Sequence, residues 1–165
     1  MVPGSSWSVR KMSEAIPQQA SGTAGAAPRL RQFQFPQDYE AVVALWRRAG
    51  PGIHVRRSDQ PEEIRKKLER DPDLFLLVEV GDRIVGSVMG GFDGRRGMMY
   101  HLAVDQAYRE RGIGAMLVDE LERRLRAKGC IRYYLMVTYE NQQAIEFYEK
   151  RGWERMNLYT YGKDL

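Results

Sequence analysis

Seven consecutive residues, Tyr108, Arg109, Glu110, Arg111, Gly112, Ile113 and Gly114, carry the parts of an anion cradle. They follow the apolar run 100–104 and lead into a long amphipathic pattern ending near Lys128, so they read as the turn between a strand and a helix. Glycines at 112 and 114 let a phosphate approach the backbone with no Cβ in the way. The first-turn N–H groups, unpaired within the helix, then point at it. Arg109 and Arg111 add positive charge beside them. No Lys-Ser/Thr pair follows, as a Walker loop requires, and Met116-Leu117 stands where the third glycine of a dinucleotide fingerprint would be. A different phosphate-bearing ligand is implied.

Other reactive side chains are sparse. Cys130 is the only cysteine and opens an apolar strand pattern without a cationic neighbourhood, so it reads as a buried small hydrophobe and not a nucleophile. The two histidines, His54 and His101, stand far apart in sequence and form no metal-ligand pattern, so no metal is expected. Asn141 reads as the cap of a helix over 142–151, which carries Tyr148 on its apolar side.

The elements that position these groups follow from pattern. Residues 29–35 alternate large and polar groups as a strand does, and Pro36 ends it. Asp38 offers a cap to a helix whose Val42, Leu45, Trp46 and Ala49 recur at helical spacing up to the Gly50-Pro51-Gly52 stop. Ser58-Asp59-Gln60-Pro61-Glu62-Glu63 starts a second helix, with a polar cap, proline in the first turn and acids near the positive end of the dipole. Having few apolar contacts, the segment 50–71 is expected to be the least firmly held part of the domain. Strands follow over 74–80 and 84–89, joined by Gly81-Asp82, and Asp93-Gly94 turns into a third that starts near Met98. The helix after Gly114 buries Ile113, Leu117, Leu121 and Leu125 and shows i,i+4 acid–base pairs outward. Gly129 ends it, and 131–137 reads as a strand parallel to the one before Tyr108, because a strand–helix–strand crossover joins them. Gly152 closes the last helix, and 153–161 reads as a final strand whose exposed edge could pair two copies into a homodimer. The expected fold is α/β, with a mixed sheet, antiparallel at its N-terminal strands and parallel at the centre, flanked by helices.

With 165 residues, 43% of them hydrophobic, one domain over 29–165 is expected, preceded by a Ser-, Gly-, Ala- and Pro-rich tail over 1–28 that reads as disordered or dispensable. No apolar run is long enough to span a bilayer and no signal-peptide core follows Arg10-Lys11, so a cytoplasmic protein with no membrane partner is expected. The net charge of +4 is spread in alternating signs along helices, which disfavours a nucleic-acid surface but suits steering of a polyphosphate ligand.

In order and spacing, Leu102-Ala103-Val104-Asp105, then Arg109-Glu110-Arg111-Gly112-Ile113-Gly114, then Asn141 to Ala144 and Tyr148 to Gly152-Trp153 resemble the GNAT superfamily of N-acetyltransferases. Among its members the chain looks most similar to the small bacterial group that includes the ribosomal-protein alanine acetyltransferases. The resemblance implies acetyl-CoA as cosubstrate and an amine acceptor, whether a protein N-terminus, a lysine or a small amine. It implies that the two parallel strands splay apart around the pantetheine arm, with the backbone of Leu102, Ala103 and Val104 meeting the pantetheine and the thioester carbonyl. Arg109, Glu110, Arg111, Gly112, Ile113, Gly114 and Ala115 would hold the pyrophosphate, and Asn141 the pantetheine amides. Tyr148, seven residues after Asn141, would be the general acid; a phenol with pKa near 10 can protonate a departing thiolate at neutral pH. Where many relatives carry a glutamate base, this chain has Met98 and Met136. That leaves Glu79, Asp93, His101 or a water chain as the proton acceptor. The expected activity is N-acetyl transfer by direct attack of an amine. The alternative is a non-catalytic acyl-CoA-binding regulatory module.

Overall fold

The computed structural model describes residues 26–50 and 52–165, so the tail expected over 1–28 lies outside the described residues except for its last three. One sheet holds five strands in chain order, β1 (Arg29–Gln32), β2 (Phe75–Val80), β3 (Arg83–Phe92), β4 (Gly97–Val104) and β5 (Tyr133–Tyr134). The first three junctions are antiparallel and β5 runs parallel to β4. Among the described residues four α-helices flank it, α1 (Tyr39–Arg48), α2 (Pro61–Arg70), α3 (Ile113–Ala127) and α4 (Gln142–Lys150).

Every residue of β2 is buried, as befits a strand covered on both faces. Leu76, Val78 and Val80 join the core on the α3 and α4 side, where Ile113, Leu117, Val118, Leu121 and Leu125 form the α3 stripe. Phe75 and Leu77 join the core on the α1 and α2 side with Val42, Leu45, Trp46 and Ile64. Each fully buried aliphatic side chain here is worth about 1.5–3 kcal/mol of transfer free energy. Glycine lets α3 lie close on β3. A Cβ at Gly86 would meet Ile113 Cγ2 at 2.7 Å, and one at Gly90 would meet Leu121 Cδ1 at 2.4 Å.

Three expectations change. Asp38 stands at the head of α1 but makes no side-chain cap. Its carboxylate takes both Arg31 guanidinium nitrogens, at 2.6 and 2.7 Å, and the Gln34 N–H at 2.7 Å instead, tying β1 to the helix start. The strand expected over 131–137 forms a ladder only at Tyr133–Tyr134, and Ile131 is exposed. The strand expected over 153–161 is not formed, and Met156, Leu158, Tyr159 and Tyr161 are exposed. A strand needs a neighbouring edge to bond to, and a two-residue β5 offers almost none.

Candidate functional site

The site begins with an irregularity in β4. Ser87 faces Ala103 and Met89 faces Tyr100, so His101 and Leu102 together oppose Val88. This is a β-bulge, and it re-aims side chains. His101 adopts φ +48°, a left-handed conformation uncommon outside glycine. Before the bulge Met99 packs on the α3 side; after it Leu102 and Val104 do, while Ala103 packs toward α1. The His101 ring also turns to the α1 side, 4.6 Å from the Trp46 ring centre. On its other edge β4 meets β5 only at Gly97 and Met98, so 99–104 have no strand partner there among the described residues. An extended polar chain can add to such an edge by backbone hydrogen bonds.

Asp105 closes β4 and anchors the turn that leads to α3. Buried, it accepts the Ala107 N–H at 3.1 Å, Arg48 Nε at 3.1 Å and an Arg83 guanidinium nitrogen at 2.7 Å. Burial pushes its carboxyl pKa up, but the Ala107 N–H, Arg48 and Arg83 together outweigh that and hold it below the usual carboxylate range. It therefore stays ionised and locks the turn to α1 and β3. Glu110 and Gly112 both take positive φ, +60° and +78°, and α3 starts at Ile113 with no side-chain cap from Gly112. A Cβ at Gly112 would enter open space. The loop thus leaves the first-turn N–H groups of α3 without a side-chain cap, the kind of helix start that can receive an anion.

The guanidinium of Arg109 does not face the cradle freely. It donates to the carbonyls of Val104, at 3.4 Å, and Ala49, and to Gln143 Oε1 at 3.1 Å, stitching β4, the end of α1 and the start of α4 together. Arg109 therefore offers a ligand chiefly its backbone. The Arg111 guanidinium sits 5.1 Å from the Tyr108 ring centre. Asn141 caps α4, its Oδ1 accepting the Ala144 N–H at 3.2 Å. Its amide nitrogen abuts Gly52, where a Cβ would lie 2.2 Å from it. Tyr148 is 8% exposed, its ring between Phe147 and Trp153 at 5.2 and 5.6 Å between centres. Burial pushes its phenol pKa well above the ordinary value, so it is protonated at neutral pH and can donate.

The acetyltransferase (GNAT) family model matches residues 39–153, the span that holds the bulged strand, the cradle and α4. This chain belongs to the GNAT family. It is 46% identical over 129 residues to an acetyltransferase of Pectobacterium atrosepticum, covering 78% of this chain and 89% of that one. It is also 46% identical over 138 residues to an acetyltransferase of Sodalis glossinidius, covering 82% and 94%. The PaiA N-acetyltransferase of Thermoplasma acidophilum, solved with coenzyme A, shares the fold with TM-score 0.71 at 19% identity, over 80% of this chain and 92% of that one. A ribosomal-protein alanine N-acetyltransferase of Escherichia coli does so with TM-score 0.63 at 20% identity, over 76% and 77%. The chain is an acyltransferase, which decides against the non-catalytic alternative.

Within this GNAT enzyme the candidate proton acceptors separate. Glu79 lies on β2, two strands from β4, and receives Arg29 and Arg31 at 2.6 Å each. Asp93 is exposed and accepts the Arg95 and Arg96 N–H groups at 2.7 and 2.6 Å, which is turn chemistry. Met98 is half-buried opposite Tyr134, and Met136 is 63% exposed. His101 alone stands in the bulge, bonded through Nε2 to Asp59 Oδ1 at 2.9 Å. Sequence reasoning missed Asp59 and Arg48. Asp59 lies 42 positions from His101, and no local pattern links them. Asp105 had a signal, since an aspartate opening a turn bonds the backbone two residues on. Among the described residues no group of three or more His, Cys, Asp and Glu could hold a metal. No helix among them is long and apolar enough to cross a membrane.

Proposed function

We propose that this GNAT enzyme moves an acetyl group from acetyl-CoA to a primary amine by direct attack on the thioester. The observation that carries this is the pairing of two features on one strand: a β4 edge left open from residue 99 onward, and a cradle of unpaired N–H groups opening where that strand ends. The open edge of Leu102, Ala103 and Val104 suits the amide-bearing pantetheine. The backbone of Arg109, Glu110, Arg111, Gly112, Ile113, Gly114 and Ala115 suits the pyrophosphate. The PaiA relative's coenzyme A supports the choice of ligand.

In this reading the amine nitrogen adds to the carbonyl carbon, and the carbonyl electron pair moves to oxygen. A backbone N–H near Leu102 stabilises that oxyanion, typically the largest single contribution in acyl transfer. Collapse re-forms the carbonyl and breaks the C–S bond, and Tyr148 gives its proton to the sulfur. Free-thiol release from acetyl-CoA tests the proposal against a panel of an alanine-initiated tripeptide, lysine, spermidine and an amino sugar. Turnover with at least one, and an acetylated product by mass spectrometry, is expected. Thiol release with none of them, by protein that binds acetyl-CoA in calorimetry, overturns the amine assignment.

A further inference from the structure

We infer that His101 is the group that takes the proton from the attacking amine, with Asp59 as the residue that holds its ring. This rests on the amine-acetylation reading above.

The bulge supplies the placement. By inserting one residue against Val88, it turns His101 onto the α1 face immediately before the strand edge assigned to the thioester. Its φ of +48° is the kind of strained backbone that persists where the surroundings over-determine it. Those surroundings are specific. Asp59 is 4% exposed, and its Oδ2 accepts the Arg56 N–H at 2.8 Å while Oδ1 meets His101 Nε2. The Tyr39 hydroxyl donates to the Asp59 carbonyl at 3.0 Å, fixing that residue from α1 as well. The Trp46 ring closes one face of the imidazole, and Trp46 Nε1 is itself anchored on Ser87 Oγ at 2.9 Å. Of the titratable groups, Arg56 and Tyr39 hold Asp59, and Asp59 in turn bonds the ring. Tyr100, its neighbour on β4, lies beside Gly91 and Asp71.

The tautomer is set by these partners. Burial pushes the Asp59 carboxyl up, but the His101 and Arg56 hydrogen bonds outweigh it and hold the pKa below the ordinary value. An ionised carboxylate only accepts, so Nε2 carries the hydrogen and Nδ1 of the neutral ring keeps its lone pair. The His101 side chain is 21% exposed, against 5% for Asp59, so the ring is reachable while its anchor is not. When the amine adds to the thioester carbon, its nitrogen carries one proton too many, and that proton passes to Nδ1. The resulting imidazolium is balanced by Asp59. Tyr148 gives a proton to the leaving sulfur, so imidazolium and phenolate return to their resting forms by exchange with solvent.

Two measurements on the full chain test this. With only two histidines, a long-range proton–nitrogen spectrum of wild type and His101→Gln assigns the ring directly. The neutral form is expected to carry its proton on Nε2; a neutral ring protonated on Nδ1 overturns the assignment. Single-turnover acetylation is then followed with whichever panel amine wild type acetylates fastest. His101→Gln should slow the chemical step by about 10²- to 10⁴-fold. Acetyl-CoA affinity and Tm should stay near wild type. Asp59→Asn should slow the same step and shift the spectrum toward the Nδ1-protonated ring. A His101→Gln rate within about threefold of wild type, below the range expected for a lost base, overturns the proposal and leaves the pair as a structural staple. Wild type that acetylates no amine refutes the underlying reading and takes this one with it, whereas wild-type turnover indifferent to His101→Gln refutes only this one.

Discussion

Along one edge of β4 the ladder with β3 runs the whole strand, broken only at the bulge; along the other, β5 is bonded at Gly97 and Met98 and then departs. The first side continues into a dense set of anchors. Asp105 ties the turn to Arg48 and Arg83, Asp59 ties the approach to α2 to His101, and Trp46 reaches Ser87. On the second side Tyr133 and Tyr148 both pack against Trp153, and beyond Trp153 the chain lies exposed. The contrast separates two duties. In the proposed mechanism the rigid flank fixes the reacting geometry, and the open flank leaves main chain available to a ligand that must enter and leave.

In the proposed mechanism the open flank supplies its proton donor through Tyr148, so Tyr148→Phe is the largest effect expected. The ring and nearly all its apolar contact remain, so Tm and acetyl-CoA affinity should hold. The single-turnover chemical step should fall by about 10²- to 10⁴-fold with the proton donor gone. Because burial raises the phenol pKa, the wild-type rate should fall only at pH above the ordinary tyrosine range near 10, and that limb should be missing from the variant. A chemical step within about threefold of wild type, short of a general acid's contribution, would reduce Tyr148 to packing and remove the catalytic duty from this flank.

Asp105→Asn probes the rigid flank at a smaller scale. The folded carboxyl is held below its unfolded value, so its contribution is complete above the unfolded pKa near 3.9 and is lost as pH falls through the folded one. The variant should be less stable than wild type by about 1–3 kcal/mol at pH 7, the worth of hydrogen bonds to a buried charged group. The gap should narrow as pH drops below about 4, where wild type begins to lose the same charge. Denaturant unfolding at pH 7 and pH 3 checks both statements. A gap that stays constant between the two would show that shape, not charge, matters at this position.

The reach of sequence reading divides along the same line. The α3 stripe and the Asn141 cap are legible because each depends on residues a few positions apart, and the structure forms both; the Gly112 turn into α3 is legible for the same reason. The β2 and β3 strands are legible as apolar runs bounded by turns. Asp38 reads as a helix cap because its other partner, Arg31, cannot be known until β1 is placed beside α1. The Asp59–His101 contact needs the whole α1–α2 connection to fold over β4 and leaves no local trace. That same connection, over 50–71, reads as the loosest part from its few apolar residues. Within it Ile64 is 1% exposed, and Asp59 accepts the Arg56 N–H and meets the His101 imidazole, contacts that an apolar count does not register. A misreading arises over 153–161, where alternation reads as a strand. Alternation records which faces a strand would have, and says nothing about whether an edge is available to pair with.

The smallest effect expected comes from Ile131, and it sharpens the comparison because the central strand β2 supplies its counterpart. Ile131 is 94% exposed, whereas Leu76 in β2 is fully buried. Leu76→Ala removes atoms from the packed core and leaves a cavity, so it should cost about 2–5 kcal/mol in denaturant unfolding. Ile131→Thr keeps the β-branched shape and removes apolar area that already faces water, so it should change stability by no more than about 0.5 kcal/mol. Cavity formation cannot contribute at an exposed position, and the ladder at Tyr133 does not depend on the side chain two residues earlier. A loss of about 2 kcal/mol or more from Ile131→Thr, as for a core truncation, would mean that Ile131 is covered in solution. The open flank would then be a packed surface, and the division between the two edges of β4 would fail.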